Sequence, residues 1–172
     1  MAIETKCGYV EHGFGQVEPN HLSAQRTGQI YAQLPMGVDM LENGQFAKYN
    51  YNAGVVNFAG DSEWMLVYNA VKVYDDNETD ADYVMVKPAE VTTGAVVGVS
   101  TDVVPRLFKT NVGDIFTTNA IADETVAAGN ILAPNAEGIL AIDADATGMK
   151  WQVVKVYTMP DGQKGAKIMR IA

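Results

Sequence analysis

Two runs of apolar and polar positions flanking a polar turn stand at residues 151–171. Residues 151–159 (WQVVKVYTM) and 166–171 (AKIMRI) flank the polar stretch Pro160-Asp161-Gly162-Gln163-Lys164-Gly165. Pro presets the first position of a turn, and Gly supplies a positive φ that other residues resist. The flanks are rich in Val, Ile, Tyr and Trp, which suit a pleated, half-buried surface. The pattern predicts a β-hairpin. By period-2 spacing, Trp151, Val153 and Tyr157 share one face and Val154 and Val156 the other. That distribution predicts a strand packed on both sides, with the chain ending inside a sheet.

Upstream, the beat is one of short strands and turns. Residues 29–36 predict a first strand with Ile30, Ala32 and Leu34 on one side, ended by Pro35. Asn43-Gly44 is the strongest short hairpin signal, since a type I′ turn needs positive φ at both central positions. Phe46, Tyr49 and Tyr51 follow it as an aromatic cluster. Residues 55–58 predict a strand ended by Gly60-Asp61. Residues 63–74 (EWMLVYNAVKVY) are the longest apolar run, and their Val, Tyr and Trp content favours a strand over a helix, paired with residues 82–87. In the second half, residues 103–109, 115–120, 125–128, 131–133 and 139–142 are short strands punctuated by Asn-Val-Gly-Asp, Gly-Asn and Pro-Asn-Ala-Glu-Gly turns. Strands this short at this spacing indicate a small barrel or sandwich.

The expected fold class is therefore all-β, a short-stranded β-sandwich or barrel. Residues 1–35 mix Gly, His, Gln, Pro, Asn and Ser with isolated hydrophobics and hold neither a helical nor a strand period for long. They read as an extended N-terminal arm that lies across either its own domain or a neighbouring subunit. Residues 88–102 form a seam of small residues after Pro88. A boundary near residue 92 would give a first β module at 36–92 and a second at 93–172; one continuous sandwich is the alternative.

Composition narrows the function classes. The chain has 172 residues and 48% hydrophobic content, enough for one good-sized domain or two small ones. Only 19% of residues are charged, below the usual quarter, which points to subunit contact over part of the surface. The formal net charge of −9, with no two Lys or Arg residues adjacent, argues against nucleic-acid binding. No apolar run approaches the roughly 20 residues of a spanning helix, so no membrane partner is expected. MAIETKCGYVEHG has no apolar core like that of a signal peptide, so folding in a cytosol is expected.

Candidate chemistry is sparse, and neither catalysis nor a cofactor is expected. Cys7 is the only cysteine, so it forms no intrachain disulfide. His12 and His21 lie near it in sequence, but in the arm, where an incidental Cys is the simpler reading. Residues 75–82 (DDNETDAD) are an acidic loop; they lack the spacing and turning Gly of a Ca²⁺ loop and read as a polar hairpin tip. Asn77-Glu78-Thr79 fits a glycosylation sequon that the absent secretion signal discounts. Residues 139–142 followed by Asp143 and Asp145 look like the nucleophile strand of a haloacid-dehalogenase-type phosphatase. Only about two dozen residues follow, and they read as a hairpin. The same stretch half-matches a Ca²⁺ loop, with Val154 where the bidentate Glu belongs. A plain turn is the expectation, with no metal.

RLFKTNVGDIFTTNAI, ETVAAGNILAPNAEGIL and WQVVKVYTMPDGQKGAKIMRI together resemble the small all-β decoration (cement or auxiliary) proteins of tailed-bacteriophage heads. The resemblance covers residues 103–172 and is one of style, with strands opening on Gly-Asp and Gly-Asn and a Pro-Asp-Gly hairpin, so no functional residue is carried over. It implies a structural virion protein, made in the host cytoplasm, that sits on the capsid surface as symmetric copies, often trimers. Its partners would be the major capsid protein and copies of itself. The arm resembles those with which such proteins clasp neighbours, and Tyr9, Phe14, Ile30 and Tyr31 are its expected anchors. The alternative is a carbohydrate- or receptor-binding β module of a head fibre or tail, with Tyr49, Tyr51, Trp64 and Tyr68 as an aromatic platform.

Overall fold

A computed structural model describes residues 15–38, 41–69, 104–159 and 162–172. In chain order the strands are β1 (Val17–His21), β2 (Ile30–Tyr31), β3 (Phe46–Asn50), β4 (Val55–Asn57), β5 (Met65–Val67), β6 (Leu107–Phe108), β7 (Ile115–Thr118), β8 (Ile131–Pro134), β9 (Leu140–Ile142), β10 (Trp151–Thr158) and β11 (Lys164–Arg170). One short helix, α1 (Ser23–Thr27), lies between β1 and β2. The strands form two antiparallel sheets, ordered β1-β7-β11-β10-β8-β9 and β2-β6-β5-β3-β4. The protein is all-β, with the sheets arranged as a sandwich.

The final hairpin forms and lies inside the six-stranded sheet. Its faces differ from the period-2 expectation. Val153 pairs with Ile168 and Lys155 with Lys167, so Val154 is an extra residue in a β-bulge. A bulge puts two residues opposite one and shifts the phase of the strand. Trp151 and Val153 face the core before it, and Val156 packs against the same core after it. Val154 is 49% exposed. Apolar residues at both odd and even positions thus record a bulge, where the sequence pattern predicts burial on both faces. The turn closes between Met159 and Gln163, whose carbonyl accepts the Met159 N–H at 2.7 Å.

The core lies between the sheets. Phe46 of β3 sits 5.6 Å from Trp151 of β10 and 6.3 Å from Phe116 of β7, and Phe116 meets Trp151 edge-on at 5.0 Å. Leu66, Phe108, Leu132, Leu140 and Ile168 complete this cluster. Burying each large side chain contributes roughly 1.5–3 kcal/mol. The second sheet is covered on its other face too: Ala47, Tyr49, Met65, Val67 and Leu107 pack with Leu41, Val56 and the half-buried Leu34, Met36 and Val38. Adjacent residues of β3, β5 and β6 therefore enter different clusters, which is why those strands read as continuous apolar runs.

Several expected boundaries move. Residues 17–21 and 30–31, assigned to the arm, are strands: β1 pairs with β7, and β2 pairs with β6. Sparse hydrophobics such as Val17 and Ile30 find their burial against the shared core. The division at residue 92 is not the one the sheets follow, because β6 is inserted between β2 and β5. Residue 92 itself lies outside the described residues. Asn43-Gly44 is not a type I′ hairpin tip. Only Gly44 has positive φ (94°), and the Gln45 N–H donates to Glu42 O at 3.2 Å in a buried turn. The hairpin of β3 and β4 turns instead at residues 51–54, where the Asn50 side chain accepts from Ala53 and the Asn50 carbonyl from Gly54. Residues 125–128 form no strand.

Asp114 is buried and draws distant segments together. It accepts from the Ser23 N–H at 2.9 Å, the Ser23 hydroxyl at 2.8 Å and the Asn111 N–H at 2.9 Å. The first turn of α1 has no side-chain cap from Leu22, so this carboxylate does the capping from the opening of β7.

Candidate functional site

Among the described residues, two of the surfaces that combine aromatic or apolar groups with polar ones lie on the faces of the sheets turned away from the shared core. The first is a groove of about 250 Å³ on the second sheet, lined by Tyr31, Gln33, Tyr49, Tyr51, Ser62, Glu63, Met65 and Lys109. It exists because Tyr31 of β2 and Tyr49 of β3 belong to the same cluster on the sheet's outer side, while Tyr51 stands at the tip of the β3–β4 hairpin. The three rings meet nearly at right angles: Tyr31–Tyr49 at 6.4 Å and 73°, Tyr49–Tyr51 at 5.9 Å and 74°. Such edge-to-face contacts suit the ring quadrupoles.

Tyr49 is fixed at both ends. Its hydroxyl accepts the Gln33 N–H at 3.2 Å, and its own N–H donates to Ser62 Oγ at 2.7 Å. Burial raises its pKa above the usual phenol value, while the Gln33 N–H pulls the other way. Tyr51 is 69% exposed. At the rim Lys109 Nζ lies 3.0 Å from Glu63 Oε1, and that hydrogen bond and charge raise the Lys109 pKa.

The second surface is the outer face of the six-stranded sheet. Lys155 stands directly opposite Lys167, Lys167 opposite Thr117, and Thr117 opposite Glu18. Gly165 faces Tyr157, whose hydroxyl reaches across to Glu18 Oε2 at 3.4 Å. Half-exposed Ile115 and Met169 form the next row, and Val154 projects from the bulge. Two lysines placed directly opposite each other repel, and here they do so in a chain of net charge −9.

Of the expected anchors, Tyr9 and Phe14 lie outside the described residues. Ile30 is half-buried against the shared core, and Tyr31 lines the tyrosine groove. The four-ring platform does not assemble. Tyr49 and Tyr51 adjoin one face of the second sheet, whereas Trp64 and Tyr68 pack toward the core on the other. Lys48 Nζ sits 4.4 Å from the Trp64 ring. What sequence reading missed is the partnership of Tyr31 with Tyr49 and Tyr51. The signal available was the shared parity of Tyr49 and Tyr51, but pairing through β6 and β5 had to be known to add Tyr31.

The acidic loop 75–82, Asn77, Cys7 and His12 lie outside the described residues, and His21 is exposed at the end of β1. Asp143 and Asp145 occupy an exposed turn, where Asp143 Oδ1 accepts the Asp145 N–H at 3.1 Å. The strand before them, β9, is an antiparallel edge strand, unlike the parallel strand that delivers a phosphatase nucleophile. Among the described residues no group of three or more His, Cys, Asp or Glu is placed to hold a metal ion. A comparison with protein-family models, with curated proteins and with solved structures finds no match.

Proposed function

We propose that this chain is a structural virion protein that binds the outer surface of a tailed-bacteriophage capsid. The resemblance of residues 103–172 to decoration proteins supports the family. The observation that carries the mode of binding is the outer face of the six-stranded sheet. It presents exposed Val154 beside exposed Lys155, with Lys155 directly opposite the half-buried Lys167. An acidic protein surface relieves the lysine repulsion, and Val154 adds apolar burial beside Lys155. The occupant of this face is thus an acidic patch of the major capsid protein.

Each bound copy stabilises the assembled shell by mass action, because it binds the shell and not the free subunits. The rigidity of the sandwich serves this role: a preformed face loses little conformational entropy on docking. Copies of the chain would occupy symmetry-related positions on the lattice. The test is co-sedimentation with expanded heads that lack the protein. Lys155→Glu with Lys167→Glu should abolish binding, and raised salt should weaken the unaltered chain. Undiminished binding of the double variant contradicts this mode of attachment.

A further inference from the structure

The structure assigns a second, independent role to the tyrosine groove: it is a binding site for a neutral oligosaccharide, stacking one pyranose ring on the exposed face of Tyr51 beside the Tyr31–Tyr49 pair. Sugar rings present C–H faces that stack on aromatic side chains, and hydroxyls that need hydrogen-bond partners at the edges. The groove offers both. Tyr51 is 69% exposed, and its ring is held edge-on to Tyr49 at 5.9 Å. Around the rings stand Gln33, Ser62, Glu63 and Lys109.

The volume of about 250 Å³ falls below the roughly 300–1,000 Å³ of pockets for drug-sized ligands, and suits a single ring with its neighbours running out over the surface. The site is also preformed. Tyr49 is anchored through Gln33 and Ser62, and a Cβ at Gly60 would stand 2.2 Å from the Tyr49 carbonyl oxygen, so the backbone beneath the groove is closely packed. A ligand therefore meets rings already in place.

Charge selects among ligand classes. The charged groups of the lining, Lys109 and Glu63, are paired at 3.0 Å and present both signs to a ligand. The chain as a whole carries −9, which repels acidic glycans. A cation in an aromatic cage is opposed by the Lys109 ammonium in the lining. A proline-rich peptide needs successive apolar slots between exposed rings. Here Tyr49 is buried, and the space beside it is lined by polar groups.

The experiment is saturation-transfer NMR on the full chain with maltotetraose, cellotetraose and chitotetraose at millimolar concentration. A sialylated trisaccharide and decaproline serve as the other arms. At least one neutral tetrasaccharide should give signal. Tyr51→Ala should weaken its binding by at least about tenfold, and Tyr51→Phe should retain it. Because Tyr51 stands at an exposed hairpin tip, Tyr51→Ala should keep the thermal transition of the parent, which separates a lost site from a lost fold. Silence from all three neutral sugars overturns the assignment. So does signal only from the sialylated sugar or decaproline, or binding unchanged in Tyr51→Ala. Capsid attachment through the six-stranded sheet stands or falls separately, since its variants lie on the other sheet.

Discussion

The Phe46 ring of one sheet lies 5.6 Å from the Trp151 ring of the other, centroid to centroid. These residues come from opposite sides of the expected boundary at residue 92, yet they share one core with Phe116. Phe46→Ala should therefore cost about 3–5 kcal/mol and lower the unfolding temperature of both sheets together. Calorimetry checks this: the parent should show a single transition whose calorimetric and van't Hoff enthalpies agree. Two resolved transitions, with only one moved by the substitution, would mean that the sheets fold as separate modules.

The bulge at Val154 gives a sharper test. Deleting Val154 restores simple alternation, leaving Val153 opposite Ile168 and Val156 opposite Ala166 with their faces unchanged. The shortened chain should fold, within about 1.5 kcal/mol of the parent. Val153→Ala, at a buried position, should cost about 2 kcal/mol. Urea denaturation of the two variants distinguishes them. A regular strand in place of the bulge would be inverted by the deletion, and the protein would lose most of its stability.

Gly138 and Gly129 separate lack of space from backbone strain. Both have positive φ, 72° and 91°. A Cβ at Gly138 would stand 1.8 Å from the Phe46 carbonyl oxygen, whereas none of the surroundings lies within 4 Å at Gly129. The close approach is held by the Phe46 N–H donating to Gly138 O at 2.6 Å. Gly129→Ala should cost about 1–2 kcal/mol from the left-handed backbone alone. Gly138→Ala should cost well over that, because backbone must also move. Equal unfolding temperatures for the two variants would refute the contact between the 135–138 turn and β3.

The raised pKa of Tyr49 sets an alkaline limit. Burial disfavours the phenolate, so the folded state holds its proton to higher pH than the unfolded state does. The stabilisation is full below the unfolded value, about 10, and declines as pH rises through the folded one. Thermal unfolding should therefore fall in temperature between pH 9.5 and 11.5 by these reference values, and more steeply in the parent than in Tyr49→Phe. Identical pH slopes would show that Tyr49 is not the group responsible.

How far the sequence could be read follows from the range of the forces involved. The all-β class, the final hairpin and the strands near residues 55, 115, 131 and 140 were legible, because turn residues and β-branched runs act locally. The bulge was not: inserting one residue leaves a run of valines that looks like two-sided burial. Residues 17–21 and 30–31 looked like an arm because their hydrophobics are sparse, and each strand is completed by a partner about 75–100 residues away, β7 or β6. Asn43-Gly44 carries a strong local signal, but burial of Asn43, Gly44 and Gln45 against distant strands turned it into a buried corner. Tyr49 and Tyr51 were singled out, but Trp64 and Tyr68 were grouped with them without knowledge of which face each takes.

The measurement that bears most directly on the proposed function is quantitative mass spectrometry of purified phage particles from a lysate producing the chain, with heads and tails separated. Attachment to the capsid lattice requires the chain in the head fraction, at a fixed ratio to the major capsid protein, and its release when Lys155 and Lys167 are both changed to Glu. Absence from heads, or a few copies confined to tails, would contradict the account.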